Sequence, residues 1–290
     1  MRVAIFGATG MLGRALLHQW KDDEIIPLGS NDADIRNPQQ VQKSIDQTRP
    51  EWIVLAAAYT DVDGCEINPQ LAFTVNTHGA VNVAKAAARA GSKLLFVSTD
   101  YVFDGKKTSP YEISDPRSPI NAYGRSKAEA EVKLAVILPD CCIVRTSWLF
   151  GPGGKCFPDT ILKIAATRPQ IEVVNDQRGC PTYTLDLAEA IVKLCRSNAG
   201  GIVHCTNSGD CTWFEFAQEI IHQAGLTTTV KPTSSDKYVR PAERPRYSVL
   251  SPESLYRCGL RMRPWQQTFP DYFAGRAELN AESASSSNLA

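Results

Sequence analysis

Tyr123 and Lys127 stand four residues apart in the run Tyr123-Gly124-Arg125-Ser126-Lys127. On a helix that spacing puts both side chains on one face. A free phenol has a pKa of about 10, poorly matched to proton transfer near neutrality. A neighbouring ammonium favours the phenolate, so Lys127 is expected to lower the pKa of Tyr123 and improve it as a general acid when a carbonyl is reduced. Each unit of lowering corresponds to about 1.4 kcal/mol of differential stabilisation. Lys127 can also hydrogen-bond a nicotinamide ribose, orienting the hydride donor. Upstream, Phe96-Val97-Ser98-Thr99-Asp100 reads as the end of a strand. Thr99, or Ser98, can donate to the carbonyl oxygen as it gains alkoxide character.

A hydride donor needs a cradle, and Gly7-Ala8-Thr9-Gly10-Met11-Leu12-Gly13 supplies one between an N-terminal strand and a helix. Gly7 permits the tight turn, Gly10 a close backbone approach to a pyrophosphate, and Gly13 close helix–strand packing, with the helix N-terminus facing the phosphates. After the second strand the chain reads Leu28-Gly29-Ser30-Asn31-Asp32. That run has neither a carboxylate at the strand end for a ribose 2′-OH nor an arginine for a 2′-phosphate. The expectation is dual use of NADH and NADPH, or a modest preference for NADPH. Asp34, a little further on, reads as a turn residue.

The elements that must position these groups alternate. Strands are expected at Val3–Phe6, Ile25–Leu28, Trp52–Ala56, Leu94–Ser98 and Cys142–Arg145, with helices at Met11–Trp20, Gln39–Gln47, Pro69–Ala90 and Tyr123–Ile137. Asn68 is a cap for the third helix and Pro69 its first residue. Unalternating runs of Val, Ile and Leu suit strands buried on both faces. The rhythm predicts an α/β fold, a doubly wound parallel sheet of Rossmann type with a smaller C-terminal α/β region. Residues 1–150 are expected to bind mainly the dinucleotide and 151–276 mainly the substrate. In that second part helices near Asp159–Thr167, Thr184–Arg196 and Phe216–Ala224 and strands at Ile171–Val174 and Ile202–Thr206 are expected. The Thr184–Arg196 helix is placed so that it can pack back on the first part. Thr212 and Glu215 have capping-box spacing. Lys231–Pro245 reads as a loop and 277–290 as a frayed tail.

Composition narrows the function classes. Lys+Arg and Asp+Glu balance at 31 each, so no global field attracts nucleic acid or an acidic membrane. No apolar run is long enough to cross a bilayer. The nine cysteines form no CxxC pair and the four histidines are scattered, so neither a disulfide framework nor a metal site is expected. The chain enters a strand at once, without room for a targeting peptide, and a reduced cytoplasmic enzyme is the setting these features suggest.

The motifs together resemble the extended short-chain dehydrogenase/reductase superfamily and, within it, the dTDP-4-dehydrorhamnose reductase family. The matching stretches are Ala57-Ala58-Tyr59-Thr60-Asp61-Val62-Asp63 with Glu66, Ser98 to Gly105, Tyr123 to Lys127, Arg145 to Gly151, Gln177 to Thr182, Thr212-Trp213 and Arg244-Pro245. The resemblance spans roughly residues 1–273. It implies NADPH- or NADH-dependent reduction of the C4 ketone of dTDP-4-dehydro-β-L-rhamnose to dTDP-L-rhamnose, the last step of activated-rhamnose synthesis for surface polysaccharides. It also implies that Thr99, Tyr123 and Lys127 are catalytic, that Ala56, Ala57, Ala58, Tyr59 and Asn76 line the cofactor, and that Asp34 and Ile35 form the acidic-then-apolar pair that contacts its adenine. Asp100 and Tyr101 then lie beside the sugar, and Thr60, Val62 and Trp148 form its pocket. Trp148 also reads as core, Asn76 as helix surface, and Asp63 and Glu66 as solvated charges. Arg240, Arg244 and Arg246 are candidates to grip the diphosphate. The family further raises a homodimer and a magnesium ion held by interface glutamates, neither of which maps onto residues here. Ala130 replaces a common glycine. Rival readings are an epimerase or 4,6-dehydratase, a 4-ketoreductase for another nucleotide deoxysugar, and a non-catalytic subunit resembling the methionine adenosyltransferase β subunit. Against a dehydratase, Asp100 is followed by Tyr101 where that enzyme requires a second acid.

Overall fold

Short runs of β-branched and leucine residues separated by helix-length segments can bury all their backbone groups only by pairing side by side, and they do. The computed structural model describes the backbone of residues 1–287 and the side chains of residues 1–279. In chain order the first half holds β1 (Arg2–Phe6), α1 (Met11–Gln19), β2 (Glu24–Leu28), α2 (Pro38–Thr48), β3 (Trp52–Leu55), α3 (Val62–Ile67), α4 (Pro69–Ala72), α5 (Ala80–Ala90), β4 (Lys93–Thr99), α6 (Ala122–Ile137) and β5 (Cys142–Thr146). The second half holds β6 (Leu149–Phe150), α7 (Phe157–Ala165), β7 (Gln170–Val174), β8 (Arg178–Gly179), β9 (Thr182–Tyr183), α8 (Thr184–Arg196), β10 (Gly201–His204), β11 (Cys211–Thr212), α9 (Trp213–Gln223), β12 (Thr229–Thr233), α10 (Glu253–Arg257) and α11 (Phe269–Ser287).

The central sheet has the order β10-β5-β4-β3-β1-β2, and each of its pairings is parallel. Successive residues of β1 point to opposite faces. Val3 and Ile5 pack with Leu12 and Leu16 of α1 and Leu187 and Ile191 of α8. Ala4 and Phe6 pack with Val41, Ile45, Val83 and Leu134 on the other side. The chain leaves β1 toward β2 on one side and returns to β3 on the other, so a crevice opens at the carboxyl ends between β1 and β3. An aromatic core of Phe150, Tyr183, Phe216, Trp265, Phe269 and Tyr272 holds the second half together. The sheet draws its last strand, β10, from this half, which docks it onto the first.

Four stretches differ from the expectations. The helix expected over Pro69–Ala90 is capped by Asn68, whose Oδ1 accepts from Leu71 N at 3.1 Å, but it widens into a π-helical segment over Phe73–Gly79. A short helix unseen in the sequence, α3, is capped by Asp61 on Gly64 N at 3.0 Å. Lys231–Pro245 is not all loop: Thr229–Thr233 pairs in parallel with β7, and Pro232 is tolerated because this two-stranded sheet leaves edges unpaired. Finally, α11 continues to Ser287 where a frayed tail was expected. Ala277, Glu278 and Leu279 are strong helix formers; residues 288–290 lie outside the described residues.

Candidate active site

The glycine loop is shaped by contacts that leave no room for side chains. Gly7 sits at φ +87°, and a Cβ there would lie 2.6 Å from Ala57 N. A Cβ on Gly13 would lie 2.1 Å from Gly7 O, so α1 starts in contact with the loop that precedes it. Gly10 caps α1 without any side-chain hydrogen bond, leaving the first amides of the helix for an anion. Thr9 and Gly10 are exposed at this opening, Met11 is half-buried, and Leu12 turns into the core. Across the crevice, Ala56 N and Ala57 N both donate to Phe6 O, at 3.0 and 2.9 Å. That holds Ala56, Ala57, Ala58 and Tyr59, all half-buried, beside the glycine loop. A dinucleotide fits this cradle by shape and by donor chemistry.

Beyond β2, the Asp32 carboxylate folds back onto Gly29 N at 2.8 Å. Asp34 is held by Arg36 through a 2.6 Å ion pair, which keeps its carboxyl below the usual carboxylate range. Ile35 is buried in the core, and its Cδ1 faces Gly79. Asn76, expected along the cofactor, is buried with its amide committed to protein partners. Its Oδ1 accepts from Tyr59 N at 2.7 Å, and its Nδ2 donates to Tyr59 O and to Ser126 Oγ, both at 3.0 Å. The π-helical widening thus carries the residue that ties the β3 loop to the catalytic helix.

Tyr123 lies in the first turn of α6, and that turn is anchored from several sides. Asn121 Oδ1 caps Gly124 N at 2.8 Å while its Nδ2 donates to Glu243 O at 2.7 Å. Glu66 accepts from Ala122 N at 2.6 Å and from Arg125 at 3.1 Å, so it is a helix-start partner rather than a solvated charge. Gly124 is obligatory, because a Cβ would lie 2.1 Å from Tyr101 O. Tyr101 meets the Tyr123 ring edge-on, with centroids 5.8 Å apart.

The geometry brings Thr99, Asp100, Tyr101, Tyr123 and Lys127 to one place. Thr99 Oγ1 donates to Asp100 Oδ1 at 3.0 Å and accepts from Tyr101 N at 3.2 Å. The Thr99 hydroxyl also lies near the Tyr123 phenol and works to lower its pKa. Burial raises the Asp100 carboxyl to about 7, against the opposing hydroxyls of Ser248 and Thr99. Lys127 is buried, its Nζ donating to Val97 O at 2.6 Å and sitting 3.9 Å over the Phe96 ring. Burial lowers its pKa to about 7, and Glu131 opposes the fall. One expectation is corrected here: the Tyr123 phenol stands above its ordinary value, not below. Desolvation dominates, the Thr99 hydroxyl works against it, and the nearby Asp100 adds to it. Lys127 spends its ammonium on a backbone carbonyl and so does not pull the phenol down.

On the sugar side, Thr60 is exposed and Val62 opens α3, capped by Asp61. Asp63 is a structural tie, binding Arg244 at 2.5 Å, Arg240 at 3.3 Å and Ala242 N at 3.2 Å. Of the three arginines offered for a diphosphate, Arg240 and Arg244 are therefore engaged with a carboxylate. Trp148 is not simple core: it is half-exposed, adopts φ +46°, and stacks on Trp213 at 3.5 Å and 6°. That backbone conformation is costly for a bulky residue. Asn121, Glu131 and Ser248 went unnoticed in the sequence. Asn two residues before Tyr123 is a cap signal, and Glu131 four residues beyond Lys127 shares its helix face. Nothing local marks Ser248. Among the described residues no cluster of metal-ligating side chains gathers and no helix is long and apolar enough to cross a membrane.

Residues 1–277 match the RmlD substrate binding domain family. A spore coat polysaccharide biosynthesis protein, SpsK, of Bacillus subtilis is 40% identical over 278 residues, covering 95% of this chain and 98% of its own. A dTDP-4-keto-6-deoxy-D-glucose reductase of Streptomyces niveus is 38% identical over 278 residues, covering 93% and 96%. The crystal structure of dTDP-4-dehydrorhamnose reductase from Bacillus anthracis in complex with NADP superposes with a TM-score of 0.92 at 39% identity, over 94% of this chain and 98% of that one. By sequence over nearly its whole length and by fold, the chain belongs to the RmlD substrate binding domain family.

Proposed function

We propose that the chain reduces the C4 ketone of dTDP-4-dehydro-β-L-rhamnose to dTDP-L-rhamnose, using NADPH or NADH. The observation that carries the reading is the meeting of Thr99, Tyr123 and Lys127 at the mouth of the glycine-loop crevice, in a member of this family. The NADP-bound Bacillus anthracis neighbour supports NADPH as a donor. Gly7, Thr9, Gly10, Met11, Gly13 and the run Ala56–Tyr59 would hold it, and when bound it supplies a hydride to the ketone carbon.

Every other step falls to the chain's own groups. Tyr123, protonated at neutral pH because burial raises its phenol, gives its O–H proton to the oxygen as negative charge develops there. Thr99 turns its hydroxyl from Asp100 toward the same oxygen, a fixed donor where charge appears. Lys127, one of whose N–H groups is held by Val97 O, would orient the nicotinamide ribose with its remaining donors. Asp100 and Tyr101 flank the sugar, and Thr60, Val62 and Trp148 close its pocket. In this reading residues 1–150 serve mainly the cofactor and 151–276 mainly the nucleotide sugar. The nine free thiols, eight of them buried, support a reducing, cytoplasmic setting.

A second reading is 4-keto reduction of another dTDP-deoxysugar, favoured by the Streptomyces niveus relative at comparable identity. NADPH oxidation with dTDP-4-dehydrorhamnose generated in situ, followed by NMR of the product, separates the two. The first reading requires dTDP-L-rhamnose. NADPH consumed only with a different 4-keto-sugar would replace it with the second, and no oxidation with either would sink both.

A further inference from the structure

Tyr123, Lys127 and Glu131 recur along α6 at four-residue spacing and share one face. The last three residues of β4 answer them one for one. Thr99 stands near Tyr123, Val97 O accepts from Lys127 at 2.6 Å, and Ser98 Oγ donates to Glu131 Oε1 at 2.6 Å. Glu131 is wholly buried, as is Arg145 of β5, which grips both carboxylate oxygens at 3.0 and 2.7 Å. Arg117 reaches the same carboxylate at 3.3 Å. Behind Arg145 lies His204 of β10, Nε2 at 3.3 Å, kept neutral by burial and by that guanidinium, which push it down to about 3.

Cations thus outnumber anions around this carboxylate. Around the Lys127 ammonium are Val97 O and the Phe96 ring of β4 and, on its own helix, Glu131, with Arg145 and Arg117 beyond that carboxylate. The Asp100 carboxyl is itself raised by burial to about 7. A structural Arg–Glu pair would be complete without Lys127, yet Glu131 is the charged group that opposes the discharge of Lys127 by burial. We propose that Glu131 is a positioning residue for the reaction: its carboxylate keeps Lys127 an ammonium and, through Ser98, fixes the strand that presents Thr99. The proposal rests on the roles assigned above to Tyr123 and Lys127.

The test compares Glu131→Gln, Glu131→Asp and the double variant Glu131→Gln with Arg145→Met, which removes both buried charges at similar volume. Two readouts are used: the NMR titration of the Lys127 ε-carbon in 13C-lysine-labelled enzyme, assigned by Lys127→Met, and the pH profile of kcat/KM for NADPH oxidation. Loss of the carboxylate should lower the Lys127 titration and the basic limb of the profile by about one pH unit, roughly a tenfold activity loss on that limb. Glu131→Asp keeps the charge and should keep the limb. Should Glu131→Gln fail to fold with Arg145 unpaired, the double variant carries the measurement. Loss of Arg145 by itself raises the Lys127 titration, so the double variant is read against Arg145→Met, and a folded double variant with the same titration and limb as Arg145→Met overturns the proposal. If Lys127→Met retains activity, the role of Lys127 fails instead, while the NMR titration still reports whether Glu131 governs its charge.

Discussion

Tyr123 and Asp100 are both displaced from ordinary acidity, in ways that separate their tasks. Tyr123 is a resting acid because burial opposes its ionisation. Tyr123→Phe is expected to reduce kcat by about 10²–10⁴-fold and leave NADPH affinity, read by fluorescence titration, within a factor of about two. Unchanged turnover would remove Tyr123 from the reaction. Asp100 is buried with a carboxyl near 7, against about 3.9 unfolded. The native state therefore holds the proton more tightly than the unfolded chain, and stability falls as pH rises from about 4 to about 7. Asp100→Asn removes that loss. In denaturant unfolding its gain over the parent should be small at pH 4 and grow to a few kcal/mol, in order of magnitude, at pH 7. A gain that does not change with pH would show that Asp100 is an ordinary carboxylate.

At the scale of elements, the catalytic helix is placed by its first turn. α6 approaches the β4 exit so closely that Gly124 touches Tyr101 O, where a Cβ would lie at 2.1 Å. Gly124→Ala must push the helix away, costing about 1–3 kcal/mol of overpacking. Because Tyr123 moves with the helix, kcat should fall at least tenfold. Asn121→Ala removes the cap, about 1 kcal/mol, together with the bond to Glu243 O, and should leave kcat far closer to the parent. Thermal unfolding alongside kinetics checks the pair, and equal kcat losses in both variants would refute this ordering. The π-helical turn at Phe73–Gly79 works to the same end, since it lets Asn76 lock Tyr59 and Ser126 together.

At the scale of the whole molecule, the C-terminal region is strapped across the catalytic helix by the stretch 240–246. Asp63 holds Arg240, Arg244 and Ala242 N, Asn121 holds Glu243 O, and Gly105 packs on Pro245, where a Cβ would come within 2.6 Å. Partly buried charge-assisted contacts of this kind are worth about 1–3 kcal/mol. Asp63→Ala should therefore raise KM for the nucleotide sugar about tenfold while leaving kcat and NADPH affinity near parental values. A fall in KM would mean instead that Asp63 competes with the diphosphate for the arginines.

The parallel sheet, the glycine loop and the helix face shared by Tyr123 and Lys127 were legible from local spacing alone: apolar runs, glycines where no Cβ fits, and a four-residue helical interval. The tertiary structure decided what each group does with its charge. Asn76 and Ile35 look inward, Asp63 binds arginines from far along the chain, and Trp148 adopts φ +46° against Trp213. The same holds for the raised phenol of Tyr123 and for Glu131 beneath Lys127. Proton affinity depends on burial and on partners distant in sequence. Neither exists until the strands and helices have packed.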